Sequence, residues 1–216
     1  MKFKKNISLS LFFLTAFAAW TVAVKRIDVQ AIGPDGSPVG FAGLNRFVHN
    51  LTGMHMELYI LTDWLSLIPL LFILGFGLLG LRQWIRRKSI RKVDRSILAL
   101  GAFYIAVGAA YLFFEKQVIN YRPVLIDGIL EASYPSSTTV LVLCVMVTAA
   151  MELHKRIRNA TLRNWLLFLM ACFTVLMVIG RFLSGVHWVT DILGGILLSA
   201  GLILFCLSIR ETKRDC

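Results

Sequence analysis

Cut at its Asp, Glu, Lys and Arg residues, the chain leaves six long charge-free stretches: Asn6–Val24, Trp64–Leu81, Ser96–Phe114, Ala132–Met151, Asn164–Gly180 and Ile192–Ile209. They run to 19, 18, 19, 20, 17 and 18 residues and are dominated by apolar side chains. A helix rises about 1.5 Å per residue and the hydrocarbon core of a bilayer is about 30 Å thick, so each stretch is long enough to cross. The pattern predicts six transmembrane helices. The first two are separated by a 39-residue segment, Lys25–Asp63. There Ile27, Val29 and Ala31 alternate into Pro34-Asp35-Gly36, which predicts a short hairpin or tight turn. Phe41, Leu44, Val48 and Leu51 then recur at helical spacing opposite Asn45, His49 and Asn50. That predicts an amphipathic helix on the outer surface, either a lid packed on the bundle or part of the substrate's path.

Composition agrees: 57% of the 216 residues are apolar and 16% charged, with a mean hydropathy of +0.73. A soluble enzyme, a secreted disulfide scaffold and a disordered chain are excluded. The expected fold class is all-α, a polytopic membrane protein of six transmembrane helices forming a single membrane domain over residues 1–216. Charge orients it. With alternating spans and an internal N-terminus, 17 of the 23 Lys and Arg residues fall inside: Lys2, Lys4 and Lys5, seven between Arg82 and Arg95, four between Lys155 and Arg163, and Arg210, Lys213 and Arg214. The outer pieces hold eight of the twelve acids. Both termini are therefore expected to be cytoplasmic in an integral plasma membrane protein. The basic loop from Arg82 to Arg95 reads as a topology anchor beside anionic headgroups and not as a nucleic-acid site. The N-terminal stretch has signal-peptide character but is expected to stay as an anchor. Cys144, Cys172, Cys206 and Cys216 have the spacing of neither a disulfide framework nor a zinc site.

Polar residues gather near the outer ends of the later spans: Lys116, Arg122, the run Tyr134-Pro135-Ser136-Ser137-Thr138-Thr139, then Arg181, His187 and Asp191. Ionisable groups at such depths are expensive, so they mark a functional site. Three cations, two of them guanidinium forks, suit phosphate oxygens. Pro135 is expected to open the fourth helix, leaving the N–H groups of Ser137 and Thr138 free for an anion, with the Ser136 hydroxyl as an added donor. His187 and Asp191 are four apart, so a helix starting by His187 would let Asp191 hold one ring nitrogen and leave the other as a nucleophile. Cations can neutralise the transition state, and the donor set is poor for a metal, so no metal or other cofactor is expected.

The stretch from Gly180-Arg181 to His187 and Asp191 closely resembles the third motif of the type-2 phosphatidic acid phosphatase superfamily, SR-x5-H-x3-D. Tyr134-Pro135-Ser136-Ser137-Thr138 is similar to the second, PSGH, and Lys116 to Arg122-Pro123 to the first, K-x6-R-P. The resemblance spans residues 58–208. It implies a six-helix membrane lipid phosphatase in which Lys116, Arg122, Ser136 and Arg181 bind phosphate, His187 becomes a phosphohistidine and Asp191 orients it. Three departures stand out: one residue fewer between Lys116 and Arg122, Gly180 in place of serine, and Thr138 in place of the histidine that protonates the leaving oxygen. A hydroxyl is too weak an acid for that work. Three routes follow: a substrate with a good leaving group, undecaprenyl diphosphate being favoured; another donor, with His49, His55 and Tyr134 as candidates; or a weakly active or non-catalytic lipid-phosphate binder. Phosphatidic acid and phosphatidylglycerophosphate are the alternative substrates. The expected partners are a lipid phosphate and the bilayer. Oligomeric state leaves no mark in the sequence.

Overall fold

The computed structural model describes residues 2–212, so the expectations for Lys213, Arg214 and Cys216 lie outside the described residues. Eight helices follow one another: α1 (Lys2–Arg26), α2 (Ala42–Thr52), α3 (Met56–Leu65), α4 (Leu67–Arg87), α5 (Arg95–Lys116), α6 (Ser137–Arg156), α7 (Ala160–Leu183) and α8 (Val189–Thr212). Six spans are long and apolar enough to cross a membrane, with α3 and α4 together forming the second, Met56–Arg87. The break between those two has a local cause. Pro69 has no N–H to give the carbonyl of Leu65, so the ladder fails one turn upstream, and at the break the Ser66 N–H is shared between the Thr62 and Asp63 carbonyls.

α6 is the hub. It packs on α4, α5, α7 and α8 and buries residues on every side, from Thr138 and Thr139 to Glu152. The outer helices carry the lipid-facing surface, where Phe12, Leu71, Ile105, Leu112, Phe168 and Leu176 are exposed. Without a hydrophobic drive inside a bilayer, helices approach through small residues and hydrogen bonds. The α1–α8 seam does both: the buried Ser10 hydroxyl donates to the Gly201 carbonyl at 2.8 Å, and a Cβ on Gly201 would lie 2.6 Å from Leu14.

The segment between α1 and α3 folds as expected into a hairpin and a helix. β1 (Gln30–Ala31) pairs antiparallel with β2 (Pro38–Val39) across the Pro34–Gly36 turn. α2 is amphipathic, and its polar side faces the protein: Asn45 is buried while Leu44, Phe47 and Leu51 are exposed. The Asn45 amide donates to the Gly40 carbonyl at 2.7 Å and to Thr190 Oγ1 at 3.0 Å. The helix is therefore pinned to the bundle by polar bonds, with its apolar stripe exposed.

Gly40 sits where a Cβ would come within 1.6 Å of the Val24 carbonyl oxygen, a backbone atom that cannot step aside. Gly36 has φ +71° and open space around it, so alanine there meets only left-handed strain, about 1–2 kcal/mol. Gly40→Ala is expected to cost about 3 kcal/mol, at the upper end for overpacking. Thermal unfolding in one detergent should rank Gly40→Ala clearly below Gly36→Ala; the reverse order would contradict the packing described.

Candidate active site

The loop after α5, the start of α6, the end of α7, the α7–α8 turn and α3 converge at the end of the bundle opposite the basic loops. The turn that carries His187 is shaped by Gly185, whose φ is +71° and whose Cβ would lie 2.2 Å from the Gly53 carbonyl oxygen. Its neighbour Ser184 accepts the His55 N–H at 2.9 Å. The α2–α3 link is thus docked on the turn, and α8 begins at Val189, two residues after His187.

Asp191 is fully buried. Its Oδ2 accepts the Ser133 hydroxyl at 2.5 Å and the Trp188 N–H at 2.9 Å, and its Oδ1 accepts the Asn120 amide at 3.3 Å. The direct bond expected between Asp191 and His187 is not made, since Nδ1 and Oδ2 are 3.9 Å apart. His187 precedes the helix, so the two side chains do not share a helical face, and Ser133 stands between them. Its hydroxyl oxygen is 3.0 Å from Nδ1 and its carbonyl oxygen 3.2 Å. A carbonyl only accepts, so Nδ1 carries the proton. Nε2 is then the lone-pair nitrogen; it is buried and has no hydrogen-bond partner among the described residues. Burial, then the Arg122 and Arg181 guanidiniums, push the ring well below the ordinary histidine value of 6.5.

Both arginines are buried. Arg122 Nε lies 3.0 Å from Glu131 Oε2, without the alignment of a directed hydrogen bond, and its buried Nη1 has no partner among the described residues. Arg181 donates from Nη1 to Thr62 Oγ1 at 3.2 Å and to the Tyr59 carbonyl at 3.4 Å, while its Nη2 sits 3.6 Å from Asp63. The Tyr59 ring lies under both guanidiniums, 4.7 Å from Arg181 and 5.7 Å from Arg122. Arg122, Ser133, Ser137, Thr138 and His187 line one cavity of about 550 Å³, within the usual range for a small-molecule site. Its other end is apolar and lies among the spans, between Leu70 and Ile73 of α4 and Val107 of α5, with Leu141 and Val145 of α6 behind.

Other expected members are placed differently. Lys116 ends α5, is exposed, and does not line the cavity. Removing one residue from its spacing to Arg122 turns a helical side chain by about 100°. Ser136 is buried as the residue before α6, its Oγ taken by Thr139 at 3.0 Å and its N–H by the Asp191 carbonyl at 3.1 Å. Ser136 does not line the cavity, although its hydroxyl, an acceptor from Thr139, keeps its own proton to donate. Pro135 accordingly precedes the cap instead of opening the helix, and the free N–H groups of the first turn belong to Ser137, Thr138 and Thr139. Of the three alternative proton donors, Tyr134 bonds Thr21 at 2.8 Å, and burial pushes its phenol pKa up. His49 packs on the Trp188 ring, and His55 bonds the Thr52 carbonyl. Neither histidine lines the cavity. Sequence reasoning missed Asn120, Ser133, Tyr59, Thr62, Asp63 and Glu131. Glu131 lies close enough to the second motif to have been flagged as an ionisable residue at a span's edge.

Nitrogen NMR of the His187 ring is expected to report a neutral imidazole, protonated at Nδ1, at pH values below 6.5. The unfolded chain takes up a proton there near pH 6.5 and the folded chain does not. This residue's contribution to stability is therefore full above that pH and is lost as pH falls. A charged ring at pH 6 in the folded protein would contradict the geometry.

The family model of the PAP2 superfamily matches residues 99–215. Over 206 residues the chain is 28% identical to phosphatidylglycerophosphatase B of Bacillus subtilis (strain 168), covering 94% of this chain and 92% of that one. Its fold is similar to the crystal structure of a transmembrane PAP2-type phosphatidylglycerolphosphate phosphatase from Bacillus subtilis. The TM-score is 0.51 at 23% identity, over 97% of this chain and 96% of the other. With more than half its length matched by that family model and its six spans arranged as described, the chain belongs to the PAP2 superfamily and is a membrane phosphatase that hydrolyses lipid phosphate.

Proposed function

We propose that this protein cleaves the phosphate of a membrane lipid through a phosphohistidine on His187, at a site opening on the extracytoplasmic face. The observation that carries the reading is the buried, unpartnered Nε2 of a neutral imidazole in one cavity with Arg122. Nε2 attacks phosphorus and the bond to the lipid oxygen breaks. Arg122 Nη1, Arg181 and the first-turn N–H groups of Ser137 and Thr138 take the equatorial oxygens, where negative charge gathers. The chain from Nδ1–H through Ser133 to Asp191 holds the ring and stabilises the cation that forms on it. Water then releases phosphate from the histidine. Lys116 adds only long-range attraction for an anionic headgroup. The orientation rests on the basic loops, which lie at the other end of the bundle.

Two substrate classes are each favoured by one observation. Thr138, which lines the cavity, offers no acid strong enough for an alkoxide, and that favours a prenyl diphosphate such as undecaprenyl diphosphate, whose leaving phosphate needs little protonation. Likeness to a phosphatidylglycerophosphatase along almost the whole chain favours a glycerophospholipid monoester. Phosphate release from undecaprenyl diphosphate, phosphatidylglycerophosphate and phosphatidic acid by the purified protein separates them.

His187→Ala is expected to abolish release from every one of these lipids, together with the acid-labile phosphate trapped on the wild-type protein. Full turnover in that variant would end the mechanism. Ser133→Ala, which cuts the link between the ring and Asp191, should lower kcat about 10–100-fold with little change in KM. Ser133→Thr, which keeps the hydroxyl, should recover much of the loss. A purely steric role for Ser133 would invert that order.

A further inference from the structure

We propose that Glu131 is the proton donor to the leaving oxygen, and that the protein therefore turns over lipid phosphates whose leaving group is an ordinary alcohol. The proposal rests on the phosphohistidine reading and names the acid which that reading lacks. Besides the two cationic or nucleophilic groups already assigned, the ionisable side chains lining the cavity are Asp63, Glu115, Glu131 and the phenols Tyr104, Tyr111 and Tyr134. A phenol is a much weaker acid than a carboxyl. Among the carboxyls, Glu115 is exposed on α5, and the Asp63 side chain is 59% exposed and loosely paired with Arg181 at 3.6 Å. The Glu131 side chain is the more enclosed, at 37% exposure, and sits 3.0 Å from Arg122. Its position is fixed from the backbone as well, because its carbonyl accepts the Arg122 N–H at 3.1 Å.

The guanidinium sets the geometry. Arg122 engages Glu131 through Nε and leaves Nη1 buried and unpaired beside the cavity that holds His187 Nε2. Both nitrogens belong to one planar guanidinium. A phosphoryl group bound at Nη1 therefore shares the Arg122 charge with the Glu131 carboxyl at the wall of the same cavity. The contact between Glu131 and Arg122 is an ion pair without a directed hydrogen bond, so a phosphate that takes over the positive charge displaces little. The carboxylate so displaced takes up the proton that a monoanionic phosphate brings with it.

The step balances as follows. The His187 Nε2 lone pair forms the N–P bond, the P–O bond to the lipid breaks, and the Glu131 proton goes to the departing oxygen, giving a neutral alcohol. In the second step water attacks the phosphohistidine, the N–P bond breaks, and the Glu131 carboxylate takes a proton from that water. Phosphate leaves with the starting protonation of enzyme restored.

The test compares two leaving groups in the full-length protein in detergent: phosphatidic acid, which expels an alkoxide, and p-nitrophenyl phosphate, whose phenolate departs without help. Glu131→Gln keeps the size and an oxygen toward Arg122. It should slow first-turnover release of the alcohol from phosphatidic acid about 10²–10⁴-fold and leave first-turnover release of nitrophenolate, which precedes the shared hydrolytic step, nearly untouched. Equal loss on both esters, or a loss seen only in KM, would make Glu131 a support for Arg122 and overturn the proposal, as would no loss at all. First-turnover nitrophenolate release doubles as the folding control; should the Gln variant not fold, Glu131→Ala carries the same comparison. Persistent aryl ester turnover in His187→Ala would instead sink the phosphohistidine reading, independently of Glu131.

Discussion

The site is organised by one buried carboxylate. Asp191 has no solvent to solvate it, so its charge must be met by donors from the protein. It collects them from three places: Asn120 after α5, Ser133 before α6 and the Trp188 backbone at the mouth of α8. Its own carbonyl takes the Ser136 N–H. Each bond is a tether on a different segment, and together they bring the α5–α6 loop against the α7–α8 turn. The imidazole is oriented as a by-product of satisfying the acid. Asn120 extends the same logic outward, because its Oδ1 accepts the Gly40 N–H at 3.3 Å and ties the hairpin segment into the network.

Two buried guanidiniums near one another repel, and the fold offsets that cost without cancelling the charge needed for a substrate. Each has a carboxylate at its side, Glu131 for Arg122 and Asp63 for Arg181. Both also lie over the face of Tyr59, where the ring's negative quadrupole favours them. These partners are partly exposed or weakly aligned. Each guanidinium thus has a carboxylate beside it that does not hold it by a directed hydrogen bond.

The architecture was legible in the sequence because the bilayer imposes it: charge-free runs of about 20 residues admit few interpretations. The six spans, the hairpin and α2 follow from that pattern. Helix ends were less legible, since α6 begins at Ser137 and not at Pro135, and the second span starts eight residues early at Met56 because α3 continues outward past Asp63. His187, Arg122 and Arg181 stood out as ionisable groups at span edges. Ser133 did not, because a serine beside an apolar run is ordinary; its place depends on how two distant loops meet. Lys116 failed to line the cavity for a reason that was on the page, one residue too few in its spacing. The pairing of Asp63 and Glu131 with the arginines is a tertiary fact with no local sequence signal.

α2 meets the protein with Asn45 and the lipid with Leu44, Phe47 and Leu51. Asn45 also accepts the Thr190 N–H, one residue from Asp191. The amphipathic helix is thereby bolted to the first turn of α8. The level of the exposed apolar stripe and the height of the His187 turn are thus a single dimension, fixed by the fold itself.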